Sequence, residues 1–572
     1  MTALVPTPHT HHPGTGRLRL ADTTTISAGA GPLLPELRSA TGLRLPETDG
    51  VADIALVHRR DLAPESYRLS VADRVTVAAA DDAGAFYGLQ TVLKLLAGRE
   101  LPKGVIEDGP AVRARGVMLD LGRRHWSPDY LRGFVRRMAW LGYNRLQLHL
   151  TEWNGFRIRL PGFEDLATEP AYEVAEVTDL IDYAQALHIE VVPEIDLPAH
   201  ATAVIERRPG LRPADAVLND GSTWTGSPTP SWTMDITRPE NREWIKELLG
   251  AFCDAFPAVE RIHIGGDEWP VEPALSQASS LLAYARSLHP GYRPTDALVA
   301  FVNELAGVVR ERGKQPELWN WWEHASHGDY RLRPDTDTRV TVWEAAERDL
   351  AGFTKLGYHV IASPSTTHYV TPRTAPGNRP GVNYVTPDAR FLYEEWNPSA
   401  ETLVDGYQLC VWADWAEEQD DAYFDWYARR PLEVLADRMW GGPRLADVDA
   451  YLDAVDAQPL PGGGPPYRVV PGSDGVPARL ARVRFRPRVP EGARAADGKW
   501  PDELWQALEA VRGTHFQGAP GPDGPWVDLA VVTWLPAPTW NVLTVEDRGT
   551  FARFRAVGAP DGLDIEWWGD KT

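Results

Sequence analysis

The chain has 572 residues, more than a single hydrophobic core accommodates, so two or three domains are expected. The sequence contains no run of eighteen apolar residues, which excludes a membrane-spanning helix, and its formal charge of −22 without a long basic segment argues against a nucleic-acid partner. Two cysteines, Cys253 and Cys410, exclude a disulfide scaffold and a cysteine-based zinc module. No signal peptide is visible at the amino terminus, which favours a cytoplasmic location.

Residues 1–16 are rich in Pro, Thr and His and are predicted to form a disordered arm, although His9, His11 and His12 are possible metal ligands. Residues 17–108 predict a small α+β domain. It contains a hairpin from Ser66–Val71 to Arg74–Ala78, followed by a helix over Ala83–Leu96 whose apolar side chains recur at helical spacing.

Between residues 111 and 456, short apolar runs alternate with helical segments. A clear helix starts with Ser127 as its cap and Pro128 in its first turn. Eight β-then-α units predict a (β/α)8 barrel; a doubly wound open sheet is the weaker alternative, because no glycine-rich phosphate turn follows the first strand. The eight predicted strands are Arg115–Leu119, Arg145–Leu150, Glu190–Pro193, Arg261–Ile264, Gln315–Trp319, Arg339–Trp343, Tyr358–Ala362 and Tyr407–Trp412.

A Pro- and Gly-rich stretch over residues 458–477 indicates a linker. Residues 478–572 predict a strand-rich extension, with a helix around Pro501–Arg512 and no function that the sequence assigns. Its predicted strands are Val527–Leu535, Asn541–Val545, Thr550–Val557 and Leu563–Trp568.

In a barrel of this kind, functional side chains lie at the carboxyl ends of the strands. Nearly every predicted strand here ends in a polar or aromatic residue, and the chain has 23 tryptophans, whose flat rings suit the C–H faces of sugars. The residues at these ends are Asp120, Glu152, Asp196, His200, Asp267, Glu268, Trp319, Trp343, Tyr369, Trp412 and Asp414.

The most informative segment is His263-Ile-Gly-Gly-Asp-Glu-Trp269. Neighbouring side chains of a strand point to opposite faces, so Asp267 and Glu268 share a pocket only if the strand has already ended. Gly265 and Gly266 permit such a backbone. Two adjacent carboxyls in an apolar pocket cannot both ionise cheaply, so one pKa is expected to rise and leave a proton available for acid catalysis of glycosidic cleavage.

This segment resembles the active-site signature of family 20 glycoside hydrolases, the β-N-acetylhexosaminidases. Three further segments resemble the first three barrel strands of that family: Arg115-Gly-Val-Met-Leu-Asp120 followed by Arg124-His125, Leu148-His-Leu-Thr151, and Val192-Pro-Glu-Ile-Asp-Leu-Pro-Ala-His200. The N-terminal unit is similar to the small α+β domain that precedes the barrel in these enzymes. The resemblance covers roughly residues 20–455.

The resemblance implies substrate-assisted catalysis, an exception to the usual two-carboxylate scheme, in which the 2-acetamido oxygen of the sugar attacks the anomeric carbon and water opens the resulting oxazoline-like ring. Glu268 is then the acid and later the base, Asp267 orients the acetamido group, and Tyr369 binds the acetamido oxygen. The other implied roles are pocket walls for Trp319, Trp343 and Trp412, hydroxyl binding for Arg115 and Asp414, and tuning of Glu268 for His200 and Glu152. No metal or cofactor is implied.

The sequence departs from the family pattern at three positions. Glu152 is one methylene longer than the usual Asp, Asp414 stands where Glu is common, and Thr371 stands where Asp or Asn is common. Because the last two positions usually meet hydroxyls at the non-reducing edge of the sugar, the preference between glucosamine and galactosamine configurations stays open.

Two other functions compete with this one. A metal-dependent hydrolase would use His149, His200 and His263, but no His-x-His opens the first strand and no histidine pair brackets a Glu at helical spacing. A non-catalytic N-acetylhexosamine-binding barrel is kept open by the three departures.

Overall fold

The structure is a computed structural model. It describes residues 4–215, 233–270, 274–323, 330–343, 350–371, 387–414, 416–458, 468–469, 478–490, 492–493, 501–521, 524–545 and 549–569.

The N-terminal domain is a seven-stranded sheet with the strand order β1-β7-β5-β6-β4-β2-β3. The helices Leu34–Thr41 and Asp82–Leu95 belong to this domain, and the second buries Phe86, Leu89 and Val92. The strands are β1 (Thr10–Arg19), β2 (Ile26–Ser27), β3 (Glu47–Thr48), β4 (Ile54–His58), β5 (Tyr67–Val71), β6 (Val75–Ala79) and β7 (Glu100–Asp108).

The expected disordered arm over residues 1–16 is wrong for its described part. Strand β1 begins at Thr10 and pairs antiparallel with β7, with Thr10 opposite Glu107. Before it, Leu4 and Val5 are buried, and the Val5 carbonyl accepts a hydrogen bond from Lys94. The polar composition is misleading here because β1 is an edge strand. Its side chains are mostly exposed, while its backbone is paired in the ladder.

Eight parallel strands close the barrel in the order predicted from the sequence, because β20 pairs with β8 on one side and with β18 on the other. The barrel strands are β8 (Ala114–Asp120), β9 (Arg145–His149), β14 (Glu190–Glu194), β15 (Arg261–His263), β16 (Gln315–Trp319), β17 (Arg339–Val342), β18 (Val360–Ala362) and β20 (Val404–Val411). Short strands outside the barrel wall are β10 (Thr151–Glu152), β11 (Gly155–Phe156), β12 (Ile158–Arg159), β13 (Tyr172–Glu173) and β19 (Tyr369–Val370).

Helices cover the outside of the barrel. The first of them shows how the sequence defines a helix: the Ser127 side chain accepts a hydrogen bond from the Tyr130 amide, and Leu131, Phe134 and Met138 face the core. The helices of this region are Pro128–Leu141, Val174–Ala186, Thr202–Arg207, Pro239–Ala255, Ala274–Gln277, Ser279–Leu288, Pro294–Glu311, Leu350–Lys355, Ser365–His368, Ala389–Glu394, Asp421–Trp440 and Val448–Ala457.

The C-terminal strands form two small sheets beside the barrel, and part of the predicted linker lies outside the described residues. Arg484 of β22 joins this region to the barrel helices, because its Nε lies 2.8 Å from Asp456, which also pairs with Arg430. The elements are β21 (Arg468–Val469), β22 (Ala478–Arg486), the helix Asp502–Glu509, β23 (His515–Ala519), β24 (Val527–Val531), β25 (Asn541–Thr544), β26 (Thr550–Phe551), β27 (Arg553–Val557) and β28 (Asp564–Gly569).

Within the described part of the chain, no helix combines the length and the apolar character that crossing a bilayer requires.

Arg115 does not bind sugar hydroxyls, as the resemblance implied, because it lies at the opposite end of the barrel. It stands near the start of β8 and is 1% exposed. Its guanidinium donates to the Gly142 carbonyl at 2.6 Å, to the Glu65 carboxylate at 2.6 Å and to the Tyr87 hydroxyl at 3.0 Å. Glu65 and Tyr87 belong to the N-terminal domain, so Arg115 ties that domain to the barrel.

We expect Arg115→Ala to lower the free energy of unfolding by about 3 kcal/mol, because it leaves several buried acceptors without a donor. Denaturant unfolding of the purified variant measures this loss. The affinity for N-acetylglucosamine, measured by calorimetry, is expected to stay unchanged. A weaker affinity at unchanged stability would instead indicate that Arg115 binds the sugar.

Candidate active site

The backbone after β15 brings Asp267 and Glu268 to the same side of the chain. Strand β15 ends at His263, and the next residues take left-handed conformations: φ is +70° at Gly265, +84° at Gly266 and +50° at Glu268. The alternation of a strand therefore no longer applies at these carboxylates. A left-handed conformation at a glutamate is strained, and such strain is typical of functional sites.

Asp196, which follows the neighbouring strand β14, holds this loop in place. Its Oδ1 accepts a hydrogen bond from the Gly266 amide at 3.0 Å. The contact leaves no space for a side chain at Gly265, where a Cβ would lie 1.9 Å from the same Oδ1. Burial and the nearby Asp267 raise the pKa of Asp196 well above its ordinary value.

His200 is the centre around which the acidic side chains gather. Its Nε2 lies 3.3 Å from Glu268 Oε2 and 3.6 Å from Asp267 Oδ2, and its Nδ1 lies 3.0 Å from Glu152 Oε1. Burial lowers the pKa of His200, but the surrounding carboxylates raise it well above its ordinary value. The shift favours the protonated imidazole, which lies between Glu152 and the two adjacent acids.

Four aromatic side chains from neighbouring strand ends stand together beside these acids. Trp343 and Tyr369 are stacked with ring centroids 6.0 Å apart, and Trp412 lies 5.7 Å from Tyr369 and 6.0 Å from Trp319. All four are buried. Trp321, which the sequence reasoning missed, stacks on Trp343 at 5.8 Å and donates its indole N–H to a backbone carbonyl of the loop after β15.

Sequence reasoning also missed Arg123, which holds the place it had assigned to Arg115. The Arg123 guanidinium lies 2.6 Å from Glu152, 2.9 Å from Asp120 and 3.4 Å from Asp414. Its Cζ is 5.2 Å from the ring centroid of Trp412. A detectable signal was present, because Arg123 follows the carboxyl end of β8, whereas Arg115 stands near its amino end.

Several buried polar atoms near this cluster have no hydrogen-bond partner among the described residues, so a ligand could satisfy them. They are Asp267 Oδ1, Trp343 Nε1, Trp412 Nε1 and Thr371 Oγ1. They offer one acceptor, two donors and one hydroxyl, which is the kind of lining that a polyhydroxylated ligand with an amide requires.

The three histidines of the metal hypothesis do not converge on one point. Among the described residues they do not form a common ligand group: His149 and His263 both contact Glu194, while His149 and His200 both contact Glu152. A different group, Asp196, His200 and Asp267, has donor atoms within 4.8 Å of one another. Two members of this group already have other partners, because Asp196 accepts the Gly266 amide and His200 contacts Glu152.

Comparison with known proteins identifies the family of the chain. The model of "Glycosyl hydrolase family 20, catalytic domain" matches residues 113–443, and that of "Glycosyl hydrolase family 20, domain 2" matches residues 1–109. The chain belongs to glycosyl hydrolase family 20. The resemblance drawn from the motifs is thereby confirmed, as is the expected (β/α)8 barrel preceded by a small domain.

The relatives of this family member include a beta-hexosaminidase of Akkermansia muciniphila, 30% identical over 45% of the chain and 56% of the relative. A beta-N-acetylhexosaminidase of Cellulomonas fimi is 26% identical over 68% of the chain and 77% of the relative. The solved beta-N-acetylhexosaminidase of Streptomyces coelicolor is 26% identical, covers 80% of this chain and 94% of its own, and has a TM-score of 0.63. The chain spans about half, or less, of the first curated relatives that it matches.

We expect Gly265→Ala to lower the free energy of unfolding by about 1–3 kcal/mol, because the new methyl group collides with Asp196 and the backbone is left-handed there. Gly307→Ala is the matched control. Gly307 lies in the helix Pro294–Glu311 with nothing within 4 Å of an added Cβ, so this variant is expected to be stabilised by about 0.5–1 kcal/mol. Denaturant unfolding compares the two variants. Equal stabilities would contradict the close contact between Gly265 and Asp196.

Proposed function

We propose that this protein is an exo-acting, retaining β-N-acetylhexosaminidase that removes terminal β-linked N-acetylhexosamine by substrate-assisted catalysis. The observation that carries the proposal is the convergence of Asp267 and Glu268 on the imidazole of His200 beside a wall of buried aromatic rings. Membership of family 20 and relatives named as β-hexosaminidases support the same reaction.

Glu268 is the proposed general acid and base. About a third of its side chain is exposed, which suits a group that meets both the leaving oxygen and water. Its carboxylate faces the imidazolium of His200, which stabilises the negative charge left after the proton is given to the leaving group. In the second half of the reaction the same carboxylate takes a proton from water.

Asp267 is the proposed partner of the acetamido group. Its Oδ2 faces His200 while its buried Oδ1 has no partner among the described residues, so Oδ1 is free to accept the acetamido N–H. Positive charge develops on that nitrogen as the carbonyl oxygen attacks the anomeric carbon, and a fixed carboxylate stabilises it. Tyr369 is proposed to donate its hydroxyl to the acetamido oxygen and so to aim it.

The remaining side chains are proposed to hold the sugar ring. Trp319, Trp343 and Trp412 supply flat apolar faces for the ring and the acetamido methyl. Asp414 and Arg123, paired at 3.4 Å, offer an acceptor and donors to sugar hydroxyls at the edge of the pocket. Glu152 and His200 are proposed to tune Glu268 through the ion pairs that connect the three side chains in series.

The alternative is a barrel that binds N-acetylhexosamine without cleaving it. The departures at Glu152, Thr371 and Asp414 keep it open, although Glu152 does contact His200. Turnover of an aryl β-N-acetylglucosaminide decides between the two, and activity that survives strong chelation excludes the metal-dependent hydrolase.

We expect Glu268→Gln to reduce kcat for an aryl β-N-acetylglucosaminide by about 10²- to 10⁴-fold, because the amide can neither give nor take the proton. Thermal unfolding is expected to stay close to that of the wild type, because the side chain is partly exposed. Near-normal turnover would refute the role assigned to Glu268.

We expect a thiazoline analogue of the cyclic intermediate to inhibit competitively, and an aryl glycoside that carries a 2-hydroxyl instead of the 2-acetamido group to be cleaved very slowly. Both results follow from the sugar's own amide being the nucleophile. The measurement is kcat/KM for the two substrates and Ki for the analogue. Equal cleavage of both substrates, or trapping of a fluorosugar on a carboxylate, would indicate a protein nucleophile.

A further inference from the structure

A chain of alternating imidazoles and carboxylates leads from the proposed acid into the barrel interior. Beyond Glu268, His200 and Glu152, Glu152 Oε1 lies 3.4 Å from His149 Nε2, and His149 Nδ1 lies 2.9 Å from Glu194 Oε2. Glu194 is in turn 3.3 Å from His263 Nδ1. From Glu152 inward, these side chains are 1% exposed or less.

We propose that His149 is a positioning residue for the reaction proposed above: by holding Glu152 from inside the barrel, it fixes the imidazole of His200 that contacts Glu268. The sequence suggests His149 only as a metal ligand, and no step of the proposed reaction uses it. The inference rests on the proposed function of Glu268.

The position of Glu152 depends on three cationic or donor neighbours. His149 approaches it from the interior, Arg123 contacts Oε1 at 2.6 Å from the side, and His200 approaches from the pocket. Its Oε2 also accepts a hydrogen bond from the Trp153 amide at 2.6 Å. Because Glu152 has one more rotatable bond than an Asp at this place, it needs this many contacts to occupy one rotamer.

His149 also lies among charged groups that change its pKa. The groups that face it are Glu194 from β14, Asp120 from β8, Glu152 from its own segment and the edge of Trp412, whose centroid is 5.1 Å away. Asp196 also acts on it through space. Burial lowers the pKa of His149, but Glu194 and Glu152 raise it well above its ordinary value, which favours the protonated ring.

Glu194 completes the arrangement and links it to the aromatic wall. Its Oε1 accepts the Trp319 indole N–H at 2.7 Å, and its Oε2 accepts the Gln147 amide at 2.7 Å. Burial raises the pKa of Glu194, but His149 and His263 together lower it well below its ordinary value. The buried ion pair of His149 and Glu194 therefore contacts both Glu152, which leads through His200 to the proposed acid Glu268, and Trp319, one wall of the pocket.

The test is His149→Gln in the full chain, assayed with an aryl β-N-acetylglucosaminide. We expect kcat to fall about 10- to 100-fold with KM changed less than about twofold, because Glu268 is misplaced while the groups that hold the sugar remain. Removal of a positive charge disfavours the loss of a proton from the groups around it. The alkaline limb of the kcat/KM pH profile is therefore expected to move upward by about half a pH unit.

His263→Gln is the matched control. His263 is equally buried and also contacts Glu194, but in the described part of the chain its Nε2 faces the Thr341 hydroxyl rather than Glu152. Its Nδ1 accepts the Gly265 amide at 3.1 Å, an acceptor role that the oxygen of a Gln side chain can keep. We expect a kcat loss of less than about threefold and a smaller shift of the alkaline limb. If the two variants lose the same kcat and share one pH profile, His149 is only a structural partner of Glu194 and the inference is overturned. A raised KM at unchanged kcat would also overturn it.

Glu194→Gln provides a decisive result if His149→Gln does not yield folded protein. It keeps an oxygen for the Trp319 indole but takes away the carboxylate that faces His149 Nδ1 and raises the pKa of His149, so kcat is expected to fall with KM changed less than about twofold, as for His149→Gln. An unchanged kcat, or a raised KM at unchanged kcat, contradicts the inference. Failure of the proposed function is distinguishable, because the wild-type chain itself would then not cleave the substrate.

Discussion

The charge balance around His200 is the interaction on which the rest of the site depends. Isolated charges are very costly to bury, and several ionisable groups are buried here within a few ångströms. The cost is offset because cations and carboxylates alternate, from Glu268 through His200 and Glu152 to His149 and Glu194. Each buried group has its opposite charge on both sides, so the removal of any one member leaves its neighbours uncompensated.

The backbone geometry follows from the same requirement. Both His200 and Glu268 adopt a left-handed φ of +50°, a conformation that costs free energy for residues with a Cβ. Neither conformation would persist in an isolated loop. They persist here because His200 is held by Glu152, and the loop before Glu268 is held by the hydrogen bond from Gly266 to Asp196. Local strain and buried charge are thus balanced by the same few contacts, which pre-organises the carboxylates before a substrate arrives.

Most of the fold could be predicted from the sequence because the strands of a parallel barrel have a recognisable sequence pattern. Its strands are buried on both faces and form short apolar runs, and polar side chains gather where the runs end. The edge strand β1 lacks this apolar pattern, because most of its side chains are exposed. Arg115 shows a second limit. Its residue type matched the role of a sugar ligand, but only its distance along β8 from Asp120 reveals that it faces the other end of the barrel, whereas Arg123 follows the correct end.

The departure at Glu152 could be seen in the sequence, but its consequence could not. An extra methylene moves a carboxylate by roughly one C–C bond length, which from the sequence alone puts the contact with His200 in question. In the structure one oxygen of the longer side chain, Oε1, contacts His200, Arg123 and His149 at once. Glu152 therefore connects the acids around His200 to the charged interior of the barrel.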